Sequence, residues 1–308
     1  MASEKKAKKT KALKKEKAAG KKARNLKEAL EGKLSKKEMD ELITSFDSLG
    51  NIAVIQVPKG LVKKAKVIGE ALLSLNKQFE TVCMISGEHK GLFRVQPVKV
   101  VAGKRNKKAF YRESGCSFFV ELGKAFFSSR LGTERARIAS LIKKGEVVGC
   151  FFAGVGPFPI VFAKNSGMKK AYAIELNPDA FKSMVENIAL NKVQEKVEPI
   201  LGDVHKVVPK MLLGKCDRIV MPLPKGGESF LEEAMLALKK EGGTIHFYRF
   251  VERGLEGKEA VEEVKRAAEK AGINVKFLRK KRVRSFSAKV EQFVLDFFAK
   301  QGLGKRLK

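Results

Sequence analysis

Hydrophobic and polar positions follow three successive rhythms along the chain. Residues 1–25, "MASEKKAKKTKALKKEKAAGKKARN", have Leu13 as nearly their only sizeable apolar side chain. Such a segment cannot bury enough surface to fold alone, so a flexible, partly helical tail is expected. Over 26–124 the elements are short and mixed. "KEALEGKLSKKEMDELI" reads as one or two helices, "IAVIQV" as a strand, and "KGLVKKAKVIGEALLSLN" as an amphipathic helix with apolar residues at helical spacing. "FETVCMIS" is another strand. "VQPVKVVAGK" and "KKAFYRESGCSFFVELG" alternate and predict a small antiparallel sheet. The sum is a small α+β domain, a candidate substrate- or RNA-binding module.

From residue 125 to 308 strands and helices take turns. "RARIASLIKK" is helical. "GEVVGCFF" is a buried strand, followed by a glycine-bearing loop and a helix. "KKAYAIEL", "VEPILGD", "CDRIVMPLP" and "GGTIHFYRFV" supply four further strands. "NPDAFKSMVENIALNKV", "ESFLEEAMLALKK" and "GKEAVEEVKRAAEKAG" supply helices. This order predicts an α/β domain with a parallel, doubly wound sheet. The ending departs from the repeat, because "INVKFLRKKRVRSFS" and "VEQFVLDFFAK" read as two strands with no helix between them and should pair antiparallel. A Rossmann-like sheet with an antiparallel last strand resembles S-adenosylmethionine (SAM) methyltransferases more than dinucleotide dehydrogenases.

Composition narrows the partners. The 308 residues carry 64 Lys and Arg against 34 Asp and Glu, a formal charge of +30. The tail alone has eleven basic residues against two Glu. An excess of this size implies a polyanionic partner, nucleic acid before membrane, and salt-sensitive grip on phosphates. There is no apolar run of bilayer length and no signal peptide at the charged N-terminus. Cys83, Cys116, Cys150 and Cys216 lie far apart without a CxxC pair, which suits reduced thiols in a cytoplasmic protein. With three histidines and no ligand spacing, no metal site is expected.

The candidate chemistry centres on "FFAGVGPFPIVFAK", residues 151–164. A dinucleotide fingerprint needs G-x-G-x-x-G or A. Here Gly154 and Gly156 are followed by Pro157, Phe158 and Pro159. The third small residue is missing, and two prolines remove N–H groups that a pyrophosphate would use. The loop therefore suits a nucleoside ligand without pyrophosphate, such as SAM, with Phe152, Ala153, Gly154 and Gly156 against it. Glu175, with Leu176 beside it, ends the second strand about twenty residues on, where a carboxylate takes ribose hydroxyls. Asp203 and Val204 end the third, where a polar group reads an adenine edge. Pro222 and Pro224 rigidify the loop after the fourth strand and offer carbonyls to an extruded base.

"ISGEHKGLFR", "SRLGTERARIA", "FFAGVGPFPI", "AIELNPDAF", "ENIALNKV", "DRIVMPLPKGGESFLEEA", "GGTIHFYRF" and "RVRSFSAKVEQFVLDFFAK" occur in one order between Phe46 and Lys300. Together they resemble the archaeal and eukaryotic tRNA (guanine-37-N1)-methyltransferase family. The resemblance implies SAM as cofactor and tRNA as substrate; a monomer with no obligatory protein partner is expected, since recognition of an extruded base needs only one subunit. It implies Glu134 as the base that removes the N1 proton, Arg94 as the donor that stabilises O6, and Arg130 near the substrate. Such an edge of guanine is reached only in a loop or a flipped base.

Three departures accompany it. Cys150 stands where the family often has an acid, and Pro222 where it often has Asn. There is also little room before Phe46 for the extra N-terminal domain of many relatives, whose role the basic tail is expected to take. The Pro222 change keeps open a SAM-dependent aminocarboxypropyl transfer of the wybutosine pathway, and the charge alone is equally compatible with a non-catalytic RNA-binding factor.

Overall fold

The computed structural model describes residues 23–87, 93, 95–255 and 257–301. The expected basic tail falls outside the described residues except for its last three, and so does Arg94. Contacts divide the chain into two units, one of residues 1–86 and 98–107, the other of residues 87–97 and 108–308.

In the first unit α1 (Leu26–Leu30) and α2 (Lys36–Glu41) are short helices started by side-chain caps. Asn25 accepts the Glu28 N–H, and Ser35 and Glu38 form a reciprocal capping box. The antiparallel strands β1 (Phe46–Leu49) and β2 (Ile52–Ile55) precede α3 (Ala65–Leu75), β3 (Thr81–Ile85) and β4 (Val98–Gly103). The sheet order is β1-β2-β3-β4, with β2 and β3 parallel across α3. Ile68, Ala71 and Leu72 of α3 share a core with Val82 and Ala102 of the sheet. Gly69 keeps the helix close, since a Cβ there would lie 2.9 Å from that of Ala102. β4 therefore pairs with β3 rather than with the hairpin that follows, contrary to the alternation-based expectation. Strand alternation identifies a strand without naming its partner.

The second unit opens with that hairpin, β5 (Lys108–Glu113) and β6 (Cys116–Glu121). Then come α4 (Gly132–Leu141), β7 (Val147–Phe151), α5 (Pro157–Asn165), β8 (Lys170–Glu175), α6 (Pro178–Leu190) and β9 (Val197–Leu201). The chain continues through α7 (Val204–Val207), β10 (Arg218–Met221), α8 (Leu231–Leu236), β11 (Gly243–Glu252) and α9 (Lys258–Ala271) to β12 (Ile273–Ser285) and β13 (Val290–Gln301). The sheet order is β12-β13-β11-β10-β7-β8-β9. The five strands from β11 to β9 are parallel, and β13 is antiparallel to both of its neighbours. This is the Rossmann-like α/β sheet with an antiparallel last strand expected from the sequence.

The hairpin falls on the other side of the expected 124/125 boundary for a physical reason. Asn187 on the buried face of α6 and Asn191, which caps its end, present their amides to β6 as if they were a neighbouring strand. Asn187 Oδ1 accepts the Phe119 N–H at 2.7 Å and its Nδ2 donates to the Phe119 carbonyl at 3.0 Å. Asn191 does the same at Ser117, at 2.9 and 2.6 Å. Arg135 of α4 adds a buried bidentate pair with Glu113 of β5.

Candidate active site

The glycine loop follows β7. The Ala153 N–H continues the strand ladder to the Ile174 carbonyl at 2.9 Å, and the chain then turns through left-handed backbone at Gly154 (φ +59°) and Gly156 (φ +87°). The two glycines serve different ends. At Gly154 an added Cβ would meet only the Phe126 carbonyl, at 3.5 Å, so the backbone angle is the constraint. At Gly156 a Cβ would come within 2.9 Å of Met184 Cγ and 3.0 Å of Ile160 Cδ1, so packing forbids it as well. Phe152 also has positive φ (+55°), and its ring is held edge-on against Phe151 and Phe230. Pro157 starts α5, whose first turn carries two prolines.

Glu175 at the end of β8 ties this loop to the next. Its Oε2 accepts the Gly154 N–H and its Oε1 the Asn177 N–H, both at 2.7 Å. Burial pushes its carboxyl above the usual carboxylate range, against the pull of these backbone donors. A carboxylate has about four acceptor positions, so each oxygen retains capacity for a hydroxyl donor, and a buried anion gains from it. Leu176 beside it is exposed. Asp203 caps α7 through Oδ1, which accepts the His205 N–H at 2.9 Å, and Val204 is buried under the turn. These groups gather at the carboxyl ends of β7, β8 and β9 and fit a nucleoside. Glu175 and Asp203 present carboxylate oxygens there, each already accepting main-chain N–H groups.

Glu134 lies in the first turn of α4, 3 % exposed. Its Oε1 accepts from Arg137 Nε and Nη2 at 2.8 and 2.6 Å and from the Tyr248 hydroxyl at 3.0 Å. Arg137 is shared with Asp296 on β13, 2.7 Å away. Asp296 in turn holds His246 Nδ1 at 2.7 Å, while His246 Nε2 meets Arg218 Nη1 at 2.8 Å. Arg218 ends the chain on Glu146 at 2.8 Å. A guanidinium can only donate, so His246 Nε2 is the acceptor and the ring is neutral with its proton on Nδ1. Burial, its largest influence, lowers the His246 pKa and agrees with this. Asp296 is pulled down to about 2 although burial opposes it, because His246 and Arg137 hydrogen-bond its anion. The Tyr248 phenol is pushed well up by burial and by Glu134, so it remains a donor. Tyr248 also packs edge-on against Phe158 in the first turn of α5, which places Glu134 next to the helix that the glycine loop opens.

Residues 109–276 match the TRM5/TYW2 methyltransferase domain, and residues 26–106 match the TYW2 N-terminal domain. The chain belongs to the TRM5/TYW2 methyltransferase family. One relative is the tRNA (guanine(37)-N(1))-methyltransferase Trm5b of Pyrococcus abyssi, 38 % identical over 83 % of this chain and 75 % of that protein. Another is the tRNA(Phe) (4-demethylwyosine(37)-C(7)) aminocarboxypropyltransferase of Methanocaldococcus jannaschii, 32 % identical over 82 % of this chain and 96 % of that protein. Among solved structures, the complex of aTrm5 with tRNALeu superposes with a TM-score of 0.77 at 33 % identity, covering 89 % of this chain and 78 % of that one.

In this TRM5/TYW2 chain the residues singled out from sequence fall into several groups. Phe152, Ala153, Gly154, Gly156, Glu175, Leu176, Asp203 and Val204 meet at the strand ends. Glu134 is buried on α4, and Arg130 is exposed one turn before it. The two loop prolines differ from each other. The Pro224 carbonyl accepts the Phe250 N–H at 2.9 Å and Arg249 Nη1 at 3.4 Å, so it ties the loop to β11 instead of facing a base. Pro222 is half-buried directly after β10. Cys150 lies in the core of β7 with its thiol pushed up by burial, and all four cysteines are free and buried. Among the described residues no group of acids, histidines and cysteines is arranged to hold a metal, and no helix is long and apolar enough to cross a membrane.

Sequence reasoning missed Arg137, Asp296, His246, Arg218 and Tyr248. The available signal was a polar residue inside otherwise apolar strands, as with His246 in "TIHFYRF" and Asp296 in "VLDFF".

Proposed function

We propose that this chain transfers the methyl group of SAM to N1 of guanine 37 in tRNA. The observation that carries the reading is the environment of Glu134. It is a buried carboxylate beside the helix of the nucleoside loop, with one oxygen fixed by Arg137 and Tyr248. Among the described residues its other oxygen makes no hydrogen bond. SAM is the donor common to both relatives, since one sulfonium carries a methyl and an aminocarboxypropyl group. When bound it supplies an electrophilic methyl carbon. Glu175 and the loop backbone orient the ribose, Asp203 holds the adenine amine, and Phe152 and Leu176 cover the ring faces. Glu134 Oε2 takes the N1 proton as N1 becomes nucleophilic. Arg137 and Tyr248 keep the carboxylate from turning away. A donor toward O6, for which Arg94 is the candidate, stabilises charge developing there.

The test uses unmodified tRNA transcripts with G or A at position 37, and SAM labelled in the methyl or in the carboxyl carbon. Methyl label in the G37 transcript alone supports the reading. Carboxyl label in RNA favours the second reading, aminocarboxypropyl transfer, which the match of residues 26–106 to a TYW2 N-terminal domain supports. That reaction needs a modified guanine, so a 4-demethylwyosine tRNA belongs in the same experiment. Binding of SAM and tRNA without either label in any RNA would contradict both.

A further inference from the structure

The mechanism leaves β12 unused, although this strand approaches the proposed base. Its sequence "INVKFLRKKRVRS" holds six basic residues and no acid over 13 positions, and it lies at the edge of the sheet. Lys276, Arg279, Lys280 and Arg282 are exposed. Irregularities in the pairing with β13, between Phe277 and Arg279 and between Arg282 and Arg284, bracket the segment Arg279–Arg282. Within it consecutive side chains leave opposite faces of the sheet. Lys280 lies along Gly257 before α9, and Lys281 turns to the α4 side. There its Nζ stands 3.9 Å from Glu134 Oε2, with the lysine side chain 36 % exposed and the carboxylate 4 %.

That separation is an ion pair without a hydrogen bond. The charged groups facing Glu134 among the described residues are Arg137 on its own helix, Lys281 on β12 and, through Arg137, Asp296 on β13; Tyr248 on β11 is the titratable neighbour. Removing the ammonium leaves Glu134 with all three of its hydrogen bonds. Lysine is a hydrated point charge on a flexible stem, able to exchange one anion for another. Arg282, by contrast, is engaged with Glu291 at 2.9 Å.

We propose that Lys281 is a substrate-released counter-ion: as RNA enters, its ammonium leaves Glu134 Oε2 for a backbone phosphate next to the target nucleotide, and the vacated oxygen receives the guanine proton. The exposed Lys276, Arg279 and Lys280, which make no ion pair among the described residues, continue the phosphate track along the sheet edge. The inference rests on Glu134 acting as the base, and it names the residue through which arriving substrate prepares that base.

The test compares full-length wild type, Lys281→Met, Lys281→Arg and Lys169→Met, the last an exposed lysine between α5 and β8. The dissociation constant of an unmodified G37 tRNA transcript is measured without SAM across a potassium chloride series, and methyl transfer is then measured in single turnover at saturating tRNA. Losing one phosphate contact lowers the slope of log Kd against log salt by roughly 0.7–0.9. Lys281→Met should show that drop and bind several-fold more weakly, while Lys281→Arg keeps the slope and Lys169→Met changes it less than Lys281→Met does. Transfer by Lys281→Met at saturating tRNA should stay within a few-fold of wild type. An unchanged slope for Lys281→Met, or a large rate loss at saturating tRNA, overturns the proposal. Binding is read without turnover, so an absence of methyl transfer in the wild type would reject the functional reading separately.

Discussion

The nucleoside corner and the cluster around Glu134 are built on one sheet by opposite means. At the corner the backbone carries the contacts. Three strand ends, two left-handed glycines and one carboxylate accepting two main-chain N–H groups define it. Around Glu134 side chains carry the contacts. A file of acids and bases from α4, β13, β11 and β10 runs across the sheet to Arg218 and Glu146. The first arrangement keeps acceptor capacity for a ligand, and the second consumes nearly all of its own. A binding corner tolerates neutral change in stability at the cost of affinity. The buried charge chain loses stability when a cation is taken from between its acids.

Breaking that contrast is therefore a matter of comparing stability with binding. Arg137→Met leaves Glu134 and Asp296 buried with a cation removed from between them. It should cost about 3–5 kcal/mol in urea denaturation, the usual effect of breaking a buried ion pair from one side. Glu175→Gln should do the reverse. Burial already opposes the Glu175 anion, but the amide leaves the Gly154 or Asn177 N–H facing a donor, so the loss of stability should be smaller, about 1–2 kcal/mol. SAM affinity, read by calorimetry, should fall roughly tenfold or more, because a charged acceptor for ribose hydroxyls is lost.

Acid sharpens the comparison next. Both His246 and Asp296 are depressed in the folded state. The unfolded chain therefore binds more protons, and their stabilisation is present at neutral pH and lost on acidification. The His246 part declines as pH falls below about 6.5. The Asp296 part, about 2 kcal/mol, declines as pH falls from about 4 through about 2. Denaturation series at falling pH should show both losses in wild type, and a His246→Phe variant should lose the first. Gly156→Ala combines a positive φ with a Cβ 2.9 Å from Met184 Cγ and should cost about 1–3 kcal/mol in the same urea denaturation.

The same contrast explains what could be read from sequence. The glycine-loop corner is local: each strand is followed within about five residues by its glycines or carboxylate, so spacing alone set Gly154, Gly156, Glu175 and Asp203 at strand ends. The antiparallel ending was legible because two strand patterns meet without a helix. The charge chain is non-local. Arg137, Arg218, His246 and Asp296 lie on four elements, and a short window shows each as a lone polar residue without its partner. Only the sheet order, with β13 inserted between β12 and β11, brings them together. The β5–β6 hairpin clusters with the second unit for a related reason, since its partners are the amides of Asn187 on α6 and Asn191 at its end. Pro224 shows the remaining limit, because a loop carbonyl's partner is set by tertiary contact and not by its own residue type.

The central claim is that Glu134 receives the guanine proton. Single-turnover methyl transfer to a G37 tRNA transcript by Glu134→Gln, at saturating SAM and tRNA, tests it most directly. Glutamine keeps the shape and an oxygen for Arg137 and Tyr248 but removes the basic site. The account predicts a rate lower by about 10²–10⁴, with SAM affinity and thermal midpoint close to wild type. A Glu134→Gln enzyme that transfers methyl within a few-fold of the wild-type rate would contradict it and make the file of charges a structural feature alone.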